Sequence, residues 1–146
     1  MKLCVSSYSF SRYIREKGIN YLNMCDIAQE IGFEGVEFIE LDAPDLGVTK
    51  DCMGTAEAIR NHCQRIGLDV VAYTVGADLL KRNIEEEKAR LKQCVDVAAA
   101  MGAGLLRHDV CYGPGEGLHY HYTDAIAHMA PHIREVSGLL LKQMRY

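Results

Sequence analysis

The chain has no run of about 18 apolar residues, the length a membrane-spanning helix requires. Its opening, Met1 to Ser9, holds too short an apolar stretch for a secretory signal. Positive charge is not in excess: 16 Lys and Arg stand against 20 Asp and Glu, a net charge of −4 with a pI near 5.8. That balance gives no electrostatic reason to expect nucleic acid as a partner. Among the six cysteines no Cys-x-x-Cys pair occurs. Cys25, Cys63 and Cys94 fall among apolar residues, which reads as reduced, buried thiols of a cytoplasmic protein. A disulfide framework or a zinc site is the alternative. No linker, low-complexity tract or charge block divides the chain, so one domain over residues 1–146 is expected.

What is present is a repeat. Gly32, Gly67 and Gly102 recur every 35 residues, each preceded by an apolar residue and followed within three residues by a hydrophobic run. A glycine there suits the left-handed turn that ends a helix. The run after it suits a strand buried on both faces, as in parallel sheets. A fixed period of helix, glycine and buried strand marks stacked βα units.

The strands are expected at Leu3–Ser9, Val36–Leu41, Val70–Val75 and Leu105–Val110. The helices are expected from an Asn20 cap to Ile31, from a Thr55 cap to Ile66, over Ile84–Met101, and over Thr123–Val136 with a kink at Pro131. Loops fill Asp42–Gly54, Gly76–Asn83 and Cys111–Tyr122. The period then predicts the opening of a fifth strand at Ser137–Leu141. The right-handed crossover rule sets the strands parallel in the order 1-2-3-4. If the repeat is of (β/α)8 TIM-barrel type, this α/β fold is cut to about four βα units, half a barrel, since a whole one takes roughly 250 residues.

In such folds the site forms at the carboxyl ends of the strands. The residues there are Tyr8 and Ser9, Glu37 and Glu40, Tyr73 and Thr74, and Arg107, His108 and Asp109. Glu37 and Arg107 hold equivalent places in units two and four, where they pair inside the barrel or serve catalysis. Imidazole and carboxylate at His108 and Asp109 suit a divalent metal or a sugar hydroxyl. A half-buried histidine beside a loop-capping aspartate is the plainer reading of the same pair. His119 and His121 have a spacing that chelates metal only when the loop holds them rigidly. Gly113–Gly117 lacks the Lys-Ser/Thr of a phosphate loop. His62, His128 and His132 read as surface residues of helices.

Four segments carry a resemblance: Lys2–Ser9, Ile31-Gly-Phe-Glu-Gly-Val-Glu37, Tyr73-Thr-Val-Gly-Ala-Asp78 and Leu106-Arg-His-Asp109. Over residues 1–136 the chain resembles the first half of the xylose isomerase-like TIM barrels, the sugar phosphate isomerase/epimerase superfamily. The resemblance implies a sugar or small hydroxy-ketone as substrate and a divalent metal (Mn, Mg, Zn or Co) at the carboxyl end of the barrel. In those isomerases the two acid–base glutamates and the metal ligands come from strands five to eight. What carries over to this chain is therefore a substrate-side wall of Tyr8, Glu40, Tyr73, His108 and Asp109. Catalytic and metal-binding residues are not assigned, metal binding is expected to be weak or absent, and the chain alone is expected to be inactive. The alternative is a non-catalytic half-barrel, a scaffold or binding module that self-associates as a homodimer through open strand edges and apolar interior residues. A nuclease role is disfavoured by the acidic balance.

Overall fold

A computed structural model describes residues 2–41, 48–80, 83–113 and 121–143. Four strands are seen there: β1 (Cys4–Ser6), β2 (Gly35–Ile39), β3 (Asp69–Val75) and β4 (Leu106–His108). Five helices accompany them: α1 (Ser11–Lys17), α2 (Tyr21–Ile31), α3 (Cys52–Ile66), α4 (Ile84–Met101) and α5 (Tyr122–Gln143). The strands are parallel, in one sheet of order β1-β2-β3-β4. The expected order and direction are thus what is found.

The three glycines act alike. Gly32, Gly67 and Gly102 have φ of 102°, 72° and 74°. In each case the next residue donates its N–H five residues back, from Phe33 to Ala28, Leu68 to Cys63 and Ala103 to Ala98, all at 3.0 Å. This hydrogen bond closes the helix end and turns the chain into the next strand. Gly35 serves a different need. A Cβ there would lie 2.8 Å from Val71 Cγ1 and 2.9 Å from Cys4 Sγ, so only a glycine lets β1 and β3 flank it. Val71 is the extra residue of a bulge, because the register passes from Val36↔Val70 to Glu37↔Ala72.

Several boundaries differ from the sequence expectation. β1 ends at Ser6, where the Ser6 hydroxyl caps a 3-10 turn over Ser7–Phe10 that leads into α1. Short polar side chains that bond their own backbone favour turns over strands, so this stretch leaves the sheet early. Asp51, not Thr55, caps α3, accepting from Gly54 N at 2.7 Å. Thr55 is instead buried, with its hydroxyl 3.2 Å from that of Thr49. The largest departure is at the carboxyl side: Ser137–Leu141 lies inside α5 and opens no strand. Leucine is among the best helix formers, and one glycine costs only about 1 kcal/mol in a helix already under way. α5 also runs through Pro131 as one helix.

The chain forms two compact units, Met1–Thr74 with Val97–Arg107, and Val75–Asp96 with His108–Tyr146. In the first, Met24, Cys25 and Ala28 of α2 are buried, as are Ala56, Ile59 and Cys63 of α3. Val36, Phe38, Ala72 and Tyr73 of the sheet are buried with them, and the Tyr21 and Phe38 rings meet edge-on at 5.7 Å. In the second, Leu91 and Val95 of α4 and Met129 and Val136 of α5 are buried. Glu135 joins the two helices of that unit, with Lys88 Nζ at 2.7 Å and Lys92 Nζ at 3.0 Å.

Candidate functional site

The carboxyl end of β1 is built by serines. Ser7 is buried, and its hydroxyl accepts from Ile39 N at 2.9 Å, which ties the turn after β1 to the end of β2. Tyr8, one residue on, is turned outward and 72% exposed. Glu40 follows β2 and is half-buried. Glu37 points to the opposite face from Val36 and Phe38 by strand alternation, and its Oε1 accepts from Thr74 Oγ1 at 2.5 Å. Arg107 in the same unit is exposed.

Tyr73 behaves differently from the other residues of the expected wall. It stands in register with Phe38, is 3% exposed, and its hydroxyl accepts from the N–H of Leu41 at 3.2 Å. The phenol therefore satisfies a buried backbone donor just past β2. Of the polar strand-end side chains of this unit, Tyr8, Ser9 and Arg107 are exposed, and Glu37, Glu40 and Thr74 are half-buried.

In the second unit the chain after β4 is fastened by backbone bonds. Asp109 N donates to Val75 O at 3.1 Å, and Leu79 N donates to Val110 O at 2.9 Å. His108 and Asp109 are both half-buried there. The ring Nδ1 of His108 donates to the Asp109 carbonyl at 2.7 Å, so in the neutral ring Nε2 is the acceptor. His121 sits at the start of α5, exposed, with Nδ1 2.8 Å from Thr123 Oγ1. His119 and most of the Gly113–Gly117 motif lie outside the described residues.

One cluster was not anticipated. Glu87 stands with Glu85 and Glu86 in the first turn of α4, at the positive end of the helix dipole, yet it is buried. Its carboxylate takes a two-pronged contact from Arg90, Nη2 at 3.0 Å and Nε at 3.2 Å. It also accepts from Asp78 N at 3.0 Å, while Arg90 donates to the Gly76 carbonyl. The loop after β3 is thus clamped to α4 by a charged pair that is itself fully bonded. The signal was available: Glu87 lies three residues after Ile84 and four before Leu91, on the buried stripe. His62, expected at the surface, is also buried, with Nε2 2.6 Å from Asp26 Oδ1 and Nδ1 2.6 Å from Arg65 Nη2.

Parallel strands carrying hydroxyl, carboxylate and imidazole groups at their carboxyl ends define a βα-barrel class of protein. The family model for the xylose isomerase-like TIM barrel matches residues 25–142. The chain belongs to this family. Solved structures agree on the fold. One described as the probable 3-DHS dehydratase AsbF from Bacillus anthracis superposes with TM-score 0.74 at 20% identity, over 100% of this chain and 50% of its own. A sugar phosphate isomerase/epimerase from Parabacteroides distasonis ATCC 8503 gives TM-score 0.68 at 12% identity, over 98% of this chain and 48% of that one. A xylose isomerase domain protein from Planctomyces limnophilus gives 0.60 at 12% identity, over 82% and 44%. The chain spans about half the length of these structures. No curated protein matches in sequence.

Among the described residues the family's divalent metal finds no matching ligand set. Among the described residues no three His, Cys, Asp or Glu side chains converge on one point. Tight zinc binding takes three or four protein ligands. No chemical step is therefore assigned to a metal in this chain.

Proposed function

We propose that the chain supplies the substrate-side wall of a sugar isomerase or epimerase acting on a sugar, sugar phosphate or small hydroxy-ketone. The observation that carries this reading is the polar carboxyl edge of the strands: Tyr8, Glu37, Glu40 and Thr74 in one unit, His108 and Asp109 in the other. Hydroxyl and carboxylate groups of this kind hydrogen-bond the vicinal hydroxyls of a sugar. Tyr73 contributes from beneath by fixing the backbone at Leu41, next to Glu40. The acid–base glutamates and a metal such as Mn, Mg, Zn or Co belong, on this reading, to the part of the family's barrel that these residues do not build. The unbridged state of all six cysteines supports a reducing, cytoplasmic setting.

Two titrations test it together. Saturation-transfer NMR with a panel of ketoses and their phosphates is expected to show weak binding that Glu40→Gln and Asp109→Asn reduce. Calorimetry with Mn²⁺ or Zn²⁺ is expected to show no stoichiometric submicromolar site, and isomerase assays no metal-dependent turnover. Absence of any sugar binding, or binding that both variants leave unchanged, rejects the wall. Tight metal binding with turnover rejects the inactivity of the lone chain.

A second reading, a self-associating half-barrel, is favoured by the exposure of Leu3 and Leu105, at 59% and 58%. Both are large aliphatic residues of the sheet region left uncovered in the single chain. A homodimer would cover them.

A further inference from the structure

Cys25 of α2 and Cys63 of α3 are the closest pair of thiols described, with their sulfurs 3.6 Å apart. They are 0% and 1% exposed, and neither is used by the strand-end chemistry. Burial of this kind ordinarily makes a thiol inert. Here, however, Cys63 also lines an open cavity of about 430 Å³ at the amino ends of the strands. Arg60, Gln64, Gly67, Asp69 and Met101 line the same cavity, far along the strands from Tyr8 and Glu40. The cavity has room for a small polar oxidant, and Arg60 is among its lining residues. Cys25 stands behind Cys63, beyond the cavity lining.

We propose that Cys63 and Cys25 are a peroxide-responsive dithiol, with Cys63 the sulfur attacked through the cavity and Cys25 the sulfur that resolves it. The ordering of the two thiols has a physical basis. The hydrogen bond to Cys63, with burial second, pushes the Cys25 thiol far above its ordinary range. The contact between the two sulfurs lowers the Cys63 thiol and outweighs its burial. Cys63 therefore ionises first and is the nucleophile.

The chemistry balances. The Cys63 thiolate attacks one oxygen of hydrogen peroxide, the O–O bond breaks, and hydroxide leaves to take up the thiol's proton as water. Cys63 is now a sulfenic acid, oxidised by two electrons. The Cys25 sulfur attacks it, the S–O bond breaks, and the departing hydroxide carries off the Cys25 proton as a second water. The sulfurs close from 3.6 Å to about 2.0 Å, a movement within the reach of side-chain rotation and small helix adjustment. The product is a disulfide stapling α2 to α3.

Intact-mass spectrometry of the reduced full chain, treated with equimolar hydrogen peroxide, is the test. The expected product is lighter by two hydrogens, and digestion after alkylation yields one cross-linked peptide joining Cys25 and Cys63. Cys25→Ser is expected to gain one oxygen at Cys63, trapped by dimedone, and Cys63→Ser to resist oxidation at Cys25. Peptide mapping of the unmutated chain decides the matter even if a variant fails to fold. Oxidation confined to the more accessible Cys4, Cys52 and Cys111, with Cys25 and Cys63 alkylated only after denaturation, would overturn the proposal.

Discussion

Tyr73 shows how one side chain divides a structural from a functional explanation. By its place at the end of a strand it belongs to the substrate wall, and by its burial and its bond to Leu41 it is part of the frame. Leu41 is itself buried, so its N–H has no water to turn to. Removing the phenol oxygen strands that donor, which costs about 1–2 kcal/mol. Tyr73→Phe is accordingly expected to lower unfolding free energy by that amount in urea titration. A role confined to touching substrate would leave stability unchanged. The opposite case is Tyr8, whose ring is largely in solvent, so that Tyr8→Phe is expected to leave the unfolding midpoint where it is.

Among the elements, α4 and α5 are joined by charge. Glu135 receives Lys88 and Lys92, and their hydrogen bonds hold its carboxyl down to about 2 from an ordinary value of 4.5. A carboxylate whose folded value is depressed contributes stability above its unfolded value and loses it as pH falls through the folded one. The contribution is therefore complete above pH 4.5 and fades toward pH 2. Unfolding of the wild type monitored by circular dichroism is expected to gain an acid-sensitive limb in that window, and Glu135→Gln is expected to flatten it. Because Glu135 and Lys92 reach solvent, high salt is expected to weaken it as well. An acid limb identical in the variant would show that Glu135 does not link the helices.

For the molecule as a whole, the sheet order leaves β1 and β4 at its edges. Unpaired strand edges and uncovered aliphatic residues favour association with another chain. The alternation of each strand determines which apolar residues take part: Phe38, Ala72 and Leu106 are buried, whereas Leu105 is open and Val5, Ile39 and Val71 are half-buried. A two-fold homodimer burying about 2,000 Å² is expected, the range of stable homodimers. Sedimentation equilibrium at micromolar concentration checks this, with Leu3→Ser/Leu105→Ser expected to shift the equilibrium toward monomer. A folded monomer in the unmutated chain would reject it.

Local chemistry made the repeat legible without coordinates. Gly32, Gly67 and Gly102 announce helix ends because few other residues tolerate the left-handed turn, and the buried runs after them announce parallel strands. From those alone came the strand order and the list of residues at the strand ends. Helix starts were less legible, since Asp51 and Thr55 are both chemically fit to cap α3 and only the chain's path selects Asp51. The fate of Ser137–Leu141 could not be read from periodicity, because a leucine run serves a helix or a strand equally until its neighbours are known. The tertiary structure alone decided that His62 is inside, that Tyr73 is buried with its hydroxyl on the Leu41 N–H, and that Cys25 meets Cys63. Each of those depends on partners distant in sequence, and burial is a property of the packed neighbours rather than of the residue.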